Sequence, residues 1–137
     1  MLAVGEHLLG EADGRMCQAA CAFGGGVGLS RQEMCGALSG GVLLIGLLYG
    51  RTHLGQDDRV CQQLAAQYRE NFIRELSATR CADLKALGYG SQGKWPCSAL
   101  VERAVHIFLH TLRQGISTAT GESSISPSSV AQSESPD

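Results

Sequence analysis

No block of like charge occurs in these 137 residues, whose formal net charge is −2. The arginines and the only two lysines, Lys85 and Lys94, are scattered. That pattern excludes the clustered basic face of a nucleic-acid binder. No hydrophobic run spans a bilayer either. Residues 37–49 are apolar but about a third short of the roughly 20 residues a spanning helix needs, which argues against membrane insertion and for a buried core helix. No early positive charge marks the start: MLAVGEHLLGEADG places acids where an export signal is basic, so a cytoplasmic protein is expected. C-x-x-C is missing, which weakens thioredoxin-like and zinc-ribbon readings. C-x-x-C-H is missing too, and with it covalent haem. No G-K-S/T is present, and Leu29 stands where a G-x-G-x-x-G from Gly24 needs its last glycine, so no nucleotide site is expected. No Ser/His/Asp or paired-carboxylate arrangement stands out.

Six cysteines are present, at 17, 21, 35, 61, 81 and 97. Without export a disulfide framework is disfavoured, and metal or redox chemistry gains weight. For any one cysteine an ordinary buried thiol remains the simple alternative. The length and the 44% hydrophobic content suit a single domain with a real core. Its expected extent is 1–115. Residues 116–137 turn to Ser, Thr, Gly and Pro, with acids as the only charges, and read as a disordered tail.

The chain is organised around residues 23–50, FGGGVGLSRQEMCGALSGGVLLIGLLYG. A glycine loop (Gly24, Gly25, Gly26, Gly28) opens it; its N–H groups could face an anion such as a cluster sulfur, or it could be a plain tight connection. Ser30 and Glu33 form an S-x-x-E capping box that predicts a helix start at Ser30. Cys35 then lies in the first two turns, where the helix dipole favours thiolate. Gly36, Gly40, Gly41 and Gly46 interrupt the helix at about 1 kcal/mol each against alanine. That cost suggests close approach by another helix or a cofactor, so Gly40→Leu is expected to overpack it.

Helical spacing is read elsewhere too, with no period-2 run, so the predicted fold is all-α: four to five helices around residues 37–49. Residues 1–11 look like the back half of a helix. Residues 15–23 place Cys17 and Cys21 four apart on one face, able to present two thiolates but more simply two small core residues. Asp57 and Asp58 open a helix to about Leu76, striped by Val60, Leu64, Tyr68, Phe72 and Leu76. Cys61 borders that stripe and reads as core. A short helix begins near Cys81, and Trp95-Pro96-Cys97 opens the last one, which buries Leu100, Val101, Ala104, Val105, Phe108 and Leu112 and ends at Gly115. His106 and His110 read as a surface pair, with cations favoured near a helix C-terminus. Cys35, Cys81 and Cys97 thus share one context, a helix beginning, and are expected to converge.

FGGGVG, CGALSGG with its C-G-A-x-x-G core, LLYGR, R-C-x-D-L and P-C-x-x-L-V together resemble the C_GCAxxG_C_C family over about residues 3–112. Its members are small helical proteins with four characteristic cysteines, regarded as redox-active, and a related helical domain occurs in a cytochrome holding haem and an iron centre. The resemblance implies an iron or iron–sulfur site. Carried over, Cys35, Cys81 and Cys97 are the catalytic or metal-binding thiols, with Gly25, Gly26 and Gly36 beside the cofactor. The remaining family cysteine sits in an N-C-x-x-A-type segment that would precede Met1, since residues 3–9 match the rest of the family's first helix. Either that segment is missing here, or Cys17 or Cys21 substitutes. The function expected is electron transfer; the alternatives are a cofactor-free thiol–disulfide protein and a helical interaction module. The redox partner is unspecified and a homodimer is left open.

Overall fold

The computed structural model describes residues 2–10 and 14–119, and among them the chain is all-α, with no strand beyond two isolated bridges. Six helices follow in order: α1 (Leu2–Leu9), α2 (Gly14–Cys21), α3 (Gly36–Tyr49), α4 (Arg59–Leu76), α5 (Cys81–Ala86) and α6 (Cys97–Ala119). No described helix is long and apolar enough to cross a membrane.

The core lies where α3, α4 and α6 pack on one another. On α4, Leu64, Tyr68, Phe72 and Leu76 recur every four residues and are buried, as a helix with one apolar stripe requires. Val60, expected in that stripe, is half exposed. From α6 come Leu100, Ala104, Ile107, Phe108, Thr111 and Leu112; Val101, at the margin of that face, is exposed. Full burial of rings such as Phe72 and Phe108 contributes about 1.5–3 kcal/mol each. Tyr68 meets Phe108 edge-on at 5.6 Å and Phe72 at 6.2 Å between centroids. Its hydroxyl lies within hydrogen-bonding reach of the Ala37 carbonyl (3.3 Å) and the Ala104 carbonyl (3.4 Å), so one side chain ties three helices. Buried Asn71 donates to the Thr111 hydroxyl at 2.9 Å, and Thr111 donates on to the Ile107 carbonyl at 2.8 Å. Buried polar atoms are thereby satisfied.

The glycines of α3 have separate reasons. A Cβ at Gly41 would run into the Tyr68 ring, and one at Gly36 would stand 2.9 Å from the Phe23 carbonyl oxygen. These are the close approaches that the sequence suggests. Gly40 instead lines a cavity, and a Cβ at Gly46 would meet nothing within 4 Å, so packing does not hold Gly46.

Two helix ends differ from expectation. Ser30 does not start α3: its hydroxyl donates to the Gly26 carbonyl and accepts from the Gln32 amide, which makes it a turn device. The backbone is left-handed at residues 25–29 and again at Arg31 (φ 64°), and the helix begins only after Cys35, its N-cap. At the other end, Gly115 does not stop α6, because it lies against Leu64, where a Cβ would clash. Its lack of a side chain serves helix packing rather than capping. Residues 116–119, expected in the tail, therefore belong to α6; the rest of that expectation, 120–137, lies outside the described residues.

Candidate functional site

Three loops bring three helix starts together. Between α2 and α3, residues 25–29 all have φ between 57° and 73°. Left-handed backbone costs an L-residue roughly 1–2 kcal/mol, so Val27 and Leu29 are strained. Gly26 is required twice over: it adopts φ +73°, and a Cβ there would stand 2.8 Å from the Cβ of Cys81. The amides of Val27, Gly28, Leu29, Ser30 and Arg31 bond to carbonyls inside the loop. Those five N–H groups are spent, as in the plain tight connection that the sequence left open beside an anion cradle.

The chain then pairs briefly with the segment before α5. Met34 and Arg80 form an antiparallel bridge, flanked by bonds from the Cys35 amide to the Thr79 carbonyl (2.8 Å) and from the Cys81 amide to the Glu33 carbonyl (2.9 Å). In such a ladder Cys35 and Cys81 are diagonal neighbours on one face, a relation that holds residues about 7–8 Å apart. The Ala82 amide bonds to the Arg31 carbonyl at 2.9 Å, so the loop also satisfies the first amides of α5. Cys97 is placed by residues 88–96. There the Gly90 amide bonds to the Trp95 carbonyl (2.8 Å), the Trp95 amide to the Gly88 carbonyl (3.0 Å), and Pro96 leads into the first residue of α6.

Cys35, Cys81 and Cys97 line one cavity of about 540 Å³. Each sits at a helix N-terminus: Cys35 as the N-cap of α3, Cys81 and Cys97 as the first residues of α5 and α6. Gly25 and Gly36 line the cavity too, while Gly26 lies outside it against Cys81. Small and apolar side chains such as Ala3, Met16, Leu43 and Leu100 form much of the wall. Lys85, one turn beyond Cys81 on α5, and buried Tyr89, which accepts from Arg103, are polar groups at its edge.

Burial pushes the Cys35 thiol above its ordinary value. The Ala37 and Leu38 amides pull it down, and negative charge at Cys81 and Cys97 pushes it further up. The expectation of a lowered Cys35 pKa is thus reversed: removing a thiolate from water costs more than two amides and the helix dipole return. All six cysteines are free thiols. Among the described residues no three His, Cys, Asp or Glu side chains stand close enough to hold one metal ion.

Cys61 is elsewhere, half-buried against the core with its thiol 3.9 Å from the Ile45 carbonyl. His106 and His110 are exposed. Cys17 and Cys21, read as core, instead line the cavity from α2, the first half-buried and the second exposed. The spacing shows that they share a face, but not that this face closes a cavity. Lys85 carried a usable signal, its i+4 relation to Cys81; Tyr89 carried none.

No curated protein and no solved structure matches this chain. The family model described as "Putative redox-active protein (C_GCAxxG_C_C)" matches residues 1–111, and the chain belongs to that family.

Proposed function

We propose that Cys35, Cys81 and Cys97 are the reacting groups of a redox protein, and that they hold an iron or iron–sulfur centre through which electrons pass. The observation that carries this reading is the meeting of three helix-start thiols on one apolar cavity. Like charges repel there, as the upward push on Cys35 by Cys81 and Cys97 shows. Three thiolates can share such a wall only beside positive charge. A metal centre supplies that charge, and soft thiolates suit iron–sulfur chemistry. Helix N-termini add partial positive charge behind each sulfur, and Lys85 adds a full one nearby. When bound, the centre would supply one-electron transfer. The chain's own part would be to hold the sulfurs and release their protons as the metal binds.

The bridge between Met34 and Arg80 favours a second reading. It makes Cys35 and Cys81 diagonal neighbours on one face, so that a modest shift of the two segments would bring them within the roughly 7 Å that a disulfide needs. Two thiols would then become one disulfide, delivering two electrons and two protons to a disulfide of a partner protein, which leaves as two thiols. Anaerobic purification separates the readings. A brown protein whose visible band bleaches reversibly on reduction is expected from the first. A colourless protein that reversibly loses two thiols per chain supports the second, and one that does neither contradicts both.

A further inference from the structure

Apart from its thiols, the cavity wall carries two polar side chains, Lys85 and Tyr89, and both offer protons. Among the described residues that line it there is no carboxylate, side-chain amide, or serine or threonine hydroxyl. Lys85 is half-buried and is paired with no carboxylate among the described residues. Its stem lies by Gly90, where a Cβ would stand 3.5 Å from the Lys85 Cε. Tyr89 is buried and its oxygen accepts from Arg103, so its own O–H proton is left for another acceptor. A ligand suited to this wall is apolar, carries acceptor oxygens and brings no donors of its own. The volume of about 540 Å³ lies within the roughly 300–1,000 Å³ of small-molecule sites. Exposed Cys97 and Val101 among the lining residues open it to solvent. Cys81, 8% exposed, and half-buried Cys35 are reached from inside it. We infer that the cavity takes a quinone and that the Cys35–Cys81 dithiol reduces it; this rests on the second reading above and gives that pair a small-molecule acceptor. A quinone is a flat apolar ring with two acceptor oxygens. An apolar acid would satisfy Lys85 equally, but it offers the thiols nothing to reduce. In the step, two S–H bonds break and one S–S bond forms. Two electrons and two protons pass to the quinone, its two carbonyls become hydroxyls, and the hydroquinone leaves. Negative charge develops on a carbonyl oxygen as the ring takes up electrons, and the Lys85 ammonium and Tyr89 O–H are the donors that stabilise it.

The test mixes the reduced full chain anaerobically with duroquinone, whose fully methylated ring resists thiol addition. Quinone absorbance, free thiols and peptide mass maps are followed together. The wild type is expected to lose two thiols per quinone reduced, to join Cys35 to Cys81, and to show a rate that saturates with quinone. Lys85→Met should lower that rate at low quinone by about tenfold or more, while Cys61→Ala matches the wild type. If far-UV circular dichroism shows that Lys85→Met does not fold, Tyr89→Phe, which keeps the ring, replaces it, with a fall of about threefold or more expected. A rate that never saturates and is unchanged in the folded variant overturns the proposal, as does quinone binding with no thiol lost. A wild type that forms the Cys35–Cys81 disulfide with diamide but not with duroquinone overturns it while leaving the dithiol reading intact. One that forms this disulfide with neither oxidant overturns both.

Discussion

A thiol set in an apolar wall beside other thiols keeps its proton, and Cys35 is in that position. Burial first, and then the charges of Cys81 and Cys97, raise its pKa. Its alkylation should therefore be slow at neutral pH and rise with a midpoint above the ordinary thiol value of about 8.5. Mass-spectrometric rates for Cys35 against exposed Cys97 check this, and equal rates at every pH would contradict it. Stability follows the same linkage. The unfolded chain loses this proton at lower pH than the folded one, so the contribution is whole below about pH 8.5 and is lost as pH rises through the folded value. Cys35→Ala should flatten the fall in stability above that pH. Gly41 belongs to this scale too. Alanine there would meet the Tyr68 ring and should cost about 1–3 kcal/mol, the usual range for overpacking. Gly40→Ala, facing the cavity, should cost less or gain, since alanine is favoured over glycine in helices by about 1 kcal/mol. Thermal melts of the two variants compare them directly.

At the scale of elements, the loop before α3 does more than connect. Its left-handed run at residues 25–29 lays Gly26 on Cys81 and leads the chain into the bridge that sets Cys35 beside α5. Leu29 contributes little there, being 78% exposed at φ 63°. Leu29→Asn should raise stability by about 0.5–1 kcal/mol, because asparagine tolerates that backbone; a lower melting temperature would contradict the strain argument. The helices themselves were legible in the sequence, because period-four stripes such as Leu64, Tyr68, Phe72 and Leu76 report burial directly. The start of α3 was not. A serine three residues before a glutamate has the composition of a cap, but whether it caps depends on backbone dihedrals that long-range pairing imposes. Gly115 misled for the same reason: a glycine that admits Leu64 looks, in sequence, like one that ends a helix.

At the scale of the whole molecule, α3, α4 and α6 supply most of the core, joined by Met16 of α2, Leu84 of α5 and Tyr89, and α1, α2 and α5 with their loops meet α3 and α6 around the cavity. Cys35, Cys81 and Cys97 could be picked out from their shared place at helix starts and from the family pattern; the cavity that joins them could not. Its existence depends on how the shell elements meet, which no local pattern encodes. The central claim is that these thiols, and not Cys61, carry the redox chemistry. An anaerobic potentiometric titration of the full chain measures this most directly, as reversible electron equivalents taken up per chain. Cys61→Ala should retain the wild-type equivalents, and Cys35→Ala should lose them. A Cys35→Ala variant that still takes up electrons reversibly like the wild type would contradict the account.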